Sequence, residues 1–160
     1  MSTHLPSDRS SRTLTFRATE SMRVPPGSIL DVPIVAHGIE GPLTDVSLAV
    51  HVRHRAMETL SFALVSPDMR MVLLTAFQGR RATSFGESAD RPLVFTDEAI
   101  LSITRAVPPL VGRYRPVGRL STLRGIRALS ANGRWHLMVM DVGTTGVSAL
   151  IVSAALLLRT

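Results

Sequence analysis

The sequence of 160 residues contains no cysteine and no lysine, and its aromatic side chains are one Trp, one Tyr and five Phe. Without Cys there is no disulfide, no thiolate zinc site and no thiol nucleophile, and the redox compartment stays open. With so few aromatics, Val, Leu, Ile, Ala and Met must fill most of any core. All 18 basic residues are Arg, set against 12 acids for a net charge of +6. The arginines run from Arg9 to Arg159 without forming a tract. A nucleic-acid surface needs a basic stripe with interleaved aromatics, so nucleic acid is not expected as a partner. Catalytic signatures are missing too. There is no G-x-S-x-G elbow, no H-E-x-x-H and no phosphate-cradling glycine loop. Ser84, Ser88 and Ser130 stand in polar stretches without an evident base. His51 and His54, three apart in an extended segment, face opposite sides and cannot chelate one ion together. No catalytic residue is expected.

What the chain does have is a folding composition, 45% apolar and 19% charged, with a mean hydropathy of +0.24. That is too apolar for disorder and the right length for one domain. Residues 1–12 (MSTHLPSDRSSR) read as a disordered lead-in and 13–160 as the domain. The lead-in lacks the apolar stretch of a secretory signal, so the chain as written is expected to stay in the cytoplasm. Gly146 to Leu158 is nearly all apolar, yet a spanning helix needs roughly 20 such residues. It reads instead as a strand buried on both faces.

Periodicity points to strands throughout. Leu14 and Phe16 alternate with Thr13, Thr15 and Arg17. Ile29 to Ala36 reads as an edge strand, because Pro33 has no N–H to donate to a ladder. From Thr44 to His54, Val46, Leu48, Val50 and Val52 point one way and Asp45, Ser47, Ala49, His51 and Arg53 the other, which does not fit a helical period. Leu60, Phe62 and Leu64 repeat the pattern, and Ser66-Pro67-Asp68 turns into Met71–Ala76 as a hairpin. Residues 78–92 form a long polar loop, the kind of segment that carries function. Thr96-Asp97-Glu98 could start one helical turn but not a long helix, and 108–118 reads as extended loop. Asn132-Gly133 is the strongest hairpin signal in the chain. It leads into Trp135, Leu137 and Val139 on one face and His136, Met138 and Met140 on the other. About eight short strands without a convincing helix predict an all-β fold, an antiparallel jelly-roll-like sandwich.

The order of these pieces resembles the P (Homo B) domain of subtilisin-like proprotein convertases. Asp45–His54 (DVSLAVHVRH) and Thr59–Pro67 (TLSFALVSP) resemble its two early strand motifs. Phe95–Ala99 (FTDEA), Gly112–Pro116 (GRYRP), Leu123-Arg124-Gly125 and Gly133–Asp141 (GRWHLMVMD) follow in order, with Gly146 opening the closing strand. The resemblance spans about Leu14 to Leu158. It implies structural anchors at His54, Pro67, Asp97, Tyr114, Pro116, Gly125, Trp135, Asp141 and Gly146. His54 falls on the inward parity of its strand and is expected to pin the loop that follows through its ring nitrogens. Trp135 is expected to be a core plug needing one acceptor for its indole N–H.

Two departures matter. Thr59 stands where the family has Asp, and Thr144 and Thr145 occupy a turn where it has a second acid. Some P domains hold calcium through such positions, and calcium wants six to eight oxygens. The acids left, Asp45, Asp97 and Asp141, are scattered, so no tight calcium site is expected. A convertase's catalytic Asp, His and Ser belong to a separate domain that nothing here supplies. The resemblance therefore implies a non-catalytic helper of a subtilisin-like protease, whose family works mostly outside the cytoplasm. An exposed apolar patch on one sheet would support that reading. The alternative is a free-standing binding module whose end loops, through Arg80 and Arg81, hold a glycan or an acidic protein surface.

Overall fold

The computed structural model of the chain describes residues 11–144 and 146–160. Residues 1–10, most of the expected lead-in, lie outside the described residues. Arg12 exchanges two backbone hydrogen bonds with Thr160, at 3.1 and 3.0 Å.

Eleven strands run in chain order: β1 (Thr13–Arg17), β2 (Met22–Val24), β3 (Ile29–Ala36), β4 (Asp45–Arg53), β5 (Leu60–Val65), β6 (Met71–Ala76), β7 (Ser84–Phe85), β8 (Leu93–Phe95), β9 (Gly112–Tyr114), β10 (Gly133–Asp141) and β11 (Ala149–Arg159). A seven-stranded sheet has the order β1-β11-β4-β8-β9, with β2 also on β11 and β7 also on β4. The second sheet has four strands in the order β3-β10-β5-β6. The chain is an all-β sandwich, and no described helix is long and apolar enough to cross a membrane.

The alternation read from sequence becomes the sandwich interior. Val46, Leu48, Val50 and Val52 of β4 face Trp135, Leu137 and Val139 of β10 across a core in which all seven are 1% exposed or less. Sustained period-2 patterning fixes which face is buried, because a one-residue slip would turn the whole set outward. An aromatic line bridges the layers: Phe62 of β5 lies 5.7 Å from Phe85, and Phe85 lies 6.4 Å from Phe95 in a T-shaped pair. Edge-to-face geometry of this kind adds about 1 kcal/mol per pair beyond burial. β3 is an edge strand as Pro33 requires, and β5 and β6 form the expected hairpin, with Val65 opposite Met71.

Four expectations need correction. The strand count exceeds eight because β2, β7, β8 and β9 have only two or three residues each, too few to show alternation. The sandwich is not wholly antiparallel, since β8 and β9 run parallel, pairing Leu93 with Gly112 and Phe95 with Tyr114. A parallel pair needs a long crossover, and residues 96–111 supply it, so part of 108–118 is strand rather than loop. Asn132-Gly133 is not a hairpin. Asn132 ends a one-turn helix α1 (Ala128–Ala131), and its amide bridges Ile39 N, Ile39 O and Ala128 O at 3.0, 2.9 and 2.9 Å. Finally, β11 is not buried on both faces: Leu150, Val152 and Leu157 are only half-buried on its outer side.

Candidate docking face and its polar anchor

At one end of the sandwich three polar side chains meet in the interior. His54 follows β4, and its backbone N–H donates to Thr83 O at 3.1 Å. Thr59 closes the helical turn Met57–Thr59, and Asp141 ends β10. Asp141 Oδ1 accepts from Thr59 Oγ1 at 2.8 Å and from Gly143 N at 2.7 Å. His54 Nε2 lies 3.3 Å from Asp141 Oδ2 and 3.2 Å from Thr59 Oγ1. The His54 and Asp141 side chains are 0% and 1% exposed, so the partners must come from within the protein. His54 Nδ1 has none. An unpaired acceptor costs less than an unpaired donor, which assigns the proton to Nε2, within reach of Thr59 Oγ1 and facing Asp141 Oδ2, an oxygen with no hydrogen-bond partner of its own. The cluster ties the seven-stranded sheet, through the end of β4, to the four-stranded sheet, through β5 and β10. Only Nε2 meets the loop that follows, at Thr59, so one ring nitrogen rather than both makes the expected contact.

The same geometry is wrong for nucleophilic catalysis. A hydrolase histidine is oriented through one ring nitrogen and takes a proton through the other, whereas here Thr59 and Asp141 both address Nε2. Thr59 also explains one departure from the P-domain pattern. A second carboxylate 2.8 Å from Asp141 would be repelled unless a cation lay between them, and a neutral hydroxyl donates instead.

The expected calcium candidates are not brought together. Asp45 lies 3.6 Å from the Arg124 guanidinium. Asp97 accepts from Leu120 N at 3.1 Å and Ser121 N at 2.7 Å, and Asp141 belongs to the buried cluster. No group of three or more potential ligands exists among the described residues. Asp45, Asp97 and Asp141 Oδ1 are committed to guanidinium, N–H and O–H donors, and Asp141 Oδ2 is left without a hydrogen bond. The three carboxylates do not converge on a calcium site.

The remaining anchors lie apart from one another. Trp135 is fully buried and donates from Nε1 to Ala131 O at 2.8 Å, the acceptor its indole needs. Tyr114 and Pro116 are buried on either side of exposed Arg115. Gly125 donates from N to Leu43 O at 2.7 Å, Pro67 packs beside Gly133, and Gly146 is exposed. Gly143 escaped the sequence reading. A Cβ there would stand 2.9 Å from Asp141 Oδ1 and 3.1 Å from Thr59 Oγ1, so only glycine lets the chain close over the cluster. Arg80 and Arg81 sit exposed in a turn closed by Ala82 N donating to Gly79 O at 2.8 Å.

Register assembles a surface that no single strand reveals. On the outer side of the four-stranded sheet, Pro33, His136, Val65 and Met71 form one cross-strand row. Asp31, Met138, Ala63 and Leu73 form the next, and Ile29, Met140 and Ser61 a third. Met71 is 70% exposed, Ile29 64% and Leu73 37%. The titratable side chains on these rows are Asp31 and His136, and His136 Nδ1 lies 2.8 Å from Asp31 Oδ2. Arg134 sits opposite Val35 at one margin, and Arg70 precedes Met71 at another. Strands about 4.8 Å apart with residues rising about 3.4 Å make this face roughly 15 by 20 Å. A monomer's largest apolar patch is ordinarily about 300–600 Å², and such patches often carry function.

No known protein-family profile matches the chain, and no curated protein matches it. Solved structures do. The chain resembles the crystal structure of the Aeromonas sobria serine protease and the chaperone ORF2 in complex, with TM-score 0.55 and 18% identity over 94% of this chain and 27% of that one. It resembles the A. sobria serine protease by itself with TM-score 0.53 and 16% identity, again over 94% of this chain and 27% of that one. The chain thus spans about a quarter of those chains' length. At such identity the likeness is one of fold, a sandwich segment that also occurs in a protease-associated setting.

Proposed function

We propose that the chain is a non-catalytic, P-domain-like module that stabilises or assists a subtilisin-like serine endopeptidase. The observation that carries this reading is the Met-rich outer face of the four-stranded sheet, which has little charge of its own. The likeness to a quarter-length segment of a serine protease chain supports it, as do the ordered motifs from Asp45 to Gly146. Methionine suits such a face because its flexible, polarisable side chain repacks against a partner at small cost. A second copy of the chain is a poor occupant, since +6 would face +6. A protease surface with an apolar centre and acidic margin complements Arg134.

The test is reconstitution with a subtilisin-like catalytic domain from the same organism that lacks a P domain. Added wild-type protein should lengthen the protease's half-life at elevated temperature and co-elute with it. Met138→Arg with Leu73→Arg, both outward-facing, should abolish both effects while leaving this chain's own melting temperature within about 3 °C. Full protection by that double variant would overturn the reading.

A further inference from the structure

On the opposite layer, β2, β11, β4 and β7 align Arg23, Leu150, Arg53 and Ser84 in one cross-strand row. Residues directly opposite in a ladder share a face with Cβ atoms roughly 5 Å apart. Val52 points into the core, so this row faces outward, and Arg23 and Arg53 are both exposed. Arg53, Ser84 and Leu150 of this row line a cleft of about 400 Å³ together with His54, Arg55, Thr83, Val147 and Ser148, and Arg23 lies on the row outside that lining. None of its lining residues is acidic.

What sets Arg53 and Arg55 apart is placement, since both line one cleft that holds no carboxylate. Arg70, Arg91, Arg113 and Arg124 each pair with a carboxylate at 3.0 to 3.6 Å. Arg23, Arg53 and Arg55 have no ion pair among the described residues, though they crowd one end of one sheet. Like charges held together repel unless something satisfies them. The field is felt nearby: His51, one outward position before Arg53, is held below its ordinary pKa by burial and then by the Arg53 charge.

We propose that this cleft is a binding site for a small polyanion, a ligand carrying two or more carboxylate, sulfate or phosphate groups. Guanidinium forks match the paired oxygens of such groups. Ser84, Ser148 and Thr83 add hydroxyl donors, while Leu150 and Val147 offer an apolar floor for a carbon skeleton. The volume suits a ligand of small-metabolite or disaccharide size. No Phe, Tyr or Trp lines the cleft, and the His54 ring is buried, so a stacked nucleic-acid base has no exposed platform. The site lies outside the Met-rich face and does not depend on the protease reading. It also moves the anion contact expected at Arg80 and Arg81 to arginines around a cleft, with Thr83 joining the two regions.

The experiment is calorimetric titration of the full chain with citrate, inorganic phosphate and a sulfated heparin disaccharide at low ionic strength. At least one probe should saturate one site, and which one does so distinguishes a carboxylate, phosphate or sulfate source. Arg53→Gln with Arg55→Gln should weaken that probe about 10- to 100-fold, as expected for loss of two charge-assisted contacts. Arg80→Gln with Arg81→Gln removes the same charge and should change affinity less than about threefold. Both pairs are exposed, so the melting temperature reports that each variant is folded. The proposal fails if no probe saturates by about 10 mM, or if the two double variants weaken binding equally.

Discussion

Replacing Asp141 with Asn keeps the shape of a side chain that is 1% exposed and changes only what its second oxygen can do. The amide oxygen can still accept from Thr59 Oγ1 and Gly143 N, now at 2.8 and 2.7 Å. The amide nitrogen must then face His54 Nε2, which lies 3.3 Å from Oδ2. Two donors oppose each other unless His54 moves its proton to Nδ1, and Nδ1 has no acceptor. Either way the close contact between His54 and a carboxylate oxygen is lost, and a buried donor is left without a partner. Together these cost about 3 kcal/mol. For a domain of this length that is a fall of roughly 6–12 °C in melting temperature. Urea denaturation of Asp141→Asn, Thr59→Val and the double variant measures it, and the slope with denaturant should not change. Because the residues share one network, the double variant should lose at least about 0.5 kcal/mol less than the sum of the single losses. A loss below about 0.5 kcal/mol for Asp141→Asn, or strict additivity, would refute the claim that this cluster clamps the two sheets.

Two further outcomes are expected. His51 is held below its ordinary pKa of 6.5 by burial and by Arg53, so the unfolded chain takes up that proton first as pH falls. Stability is full above about pH 6.5 and declines below it with a slope of at most about 1.4 kcal/mol per pH unit. His51→Gln should flatten this segment of the pH–stability curve, and an unaltered slope would remove His51 as its cause. Calcium should also leave the protein indifferent. Melting in chelator and in millimolar calcium should agree within about 1 °C, whereas a calcium-dependent rise would reveal a site the committed carboxylates do not provide.

The long strands were legible because alternation over six or more residues has one physical meaning: a face that must be buried. β5 and β10 follow their sequence patterns residue by residue, and β4 does so except at His51, which is buried although it stands on the outward parity. His54 and Trp135 occupy the interior positions their parity requires. The short strands were not legible. Two or three residues carry no period, and the parallel β8–β9 pair depends on a distant crossover that local propensity does not encode. The misread Asn132-Gly133 shows the same limit. A hairpin signal describes what the dipeptide can do, whereas Ile39, 93 positions away, decides what its amide bonds to.

The anchors divide in the same way. That Asp141 and His54 matter could be read from motif and parity. That Thr59 joins them, and that Gly143 must have no side chain, required coordinates, because three of these residues converge from separate turns. The scattered arginines and methionines looked like composition alone. Register turned Met138, Met71 and Leu73 into one face, and set Arg23 and Arg53 on one row across Leu150. The sequence by itself determined the all-β class, the inward and outward sides of each long strand and the absence of familiar catalytic motifs, since these depend on spacing along one chain. Which outward residues stand together was decided only by the tertiary structure, because strand order and register bring distant segments to adjacent positions across a sheet.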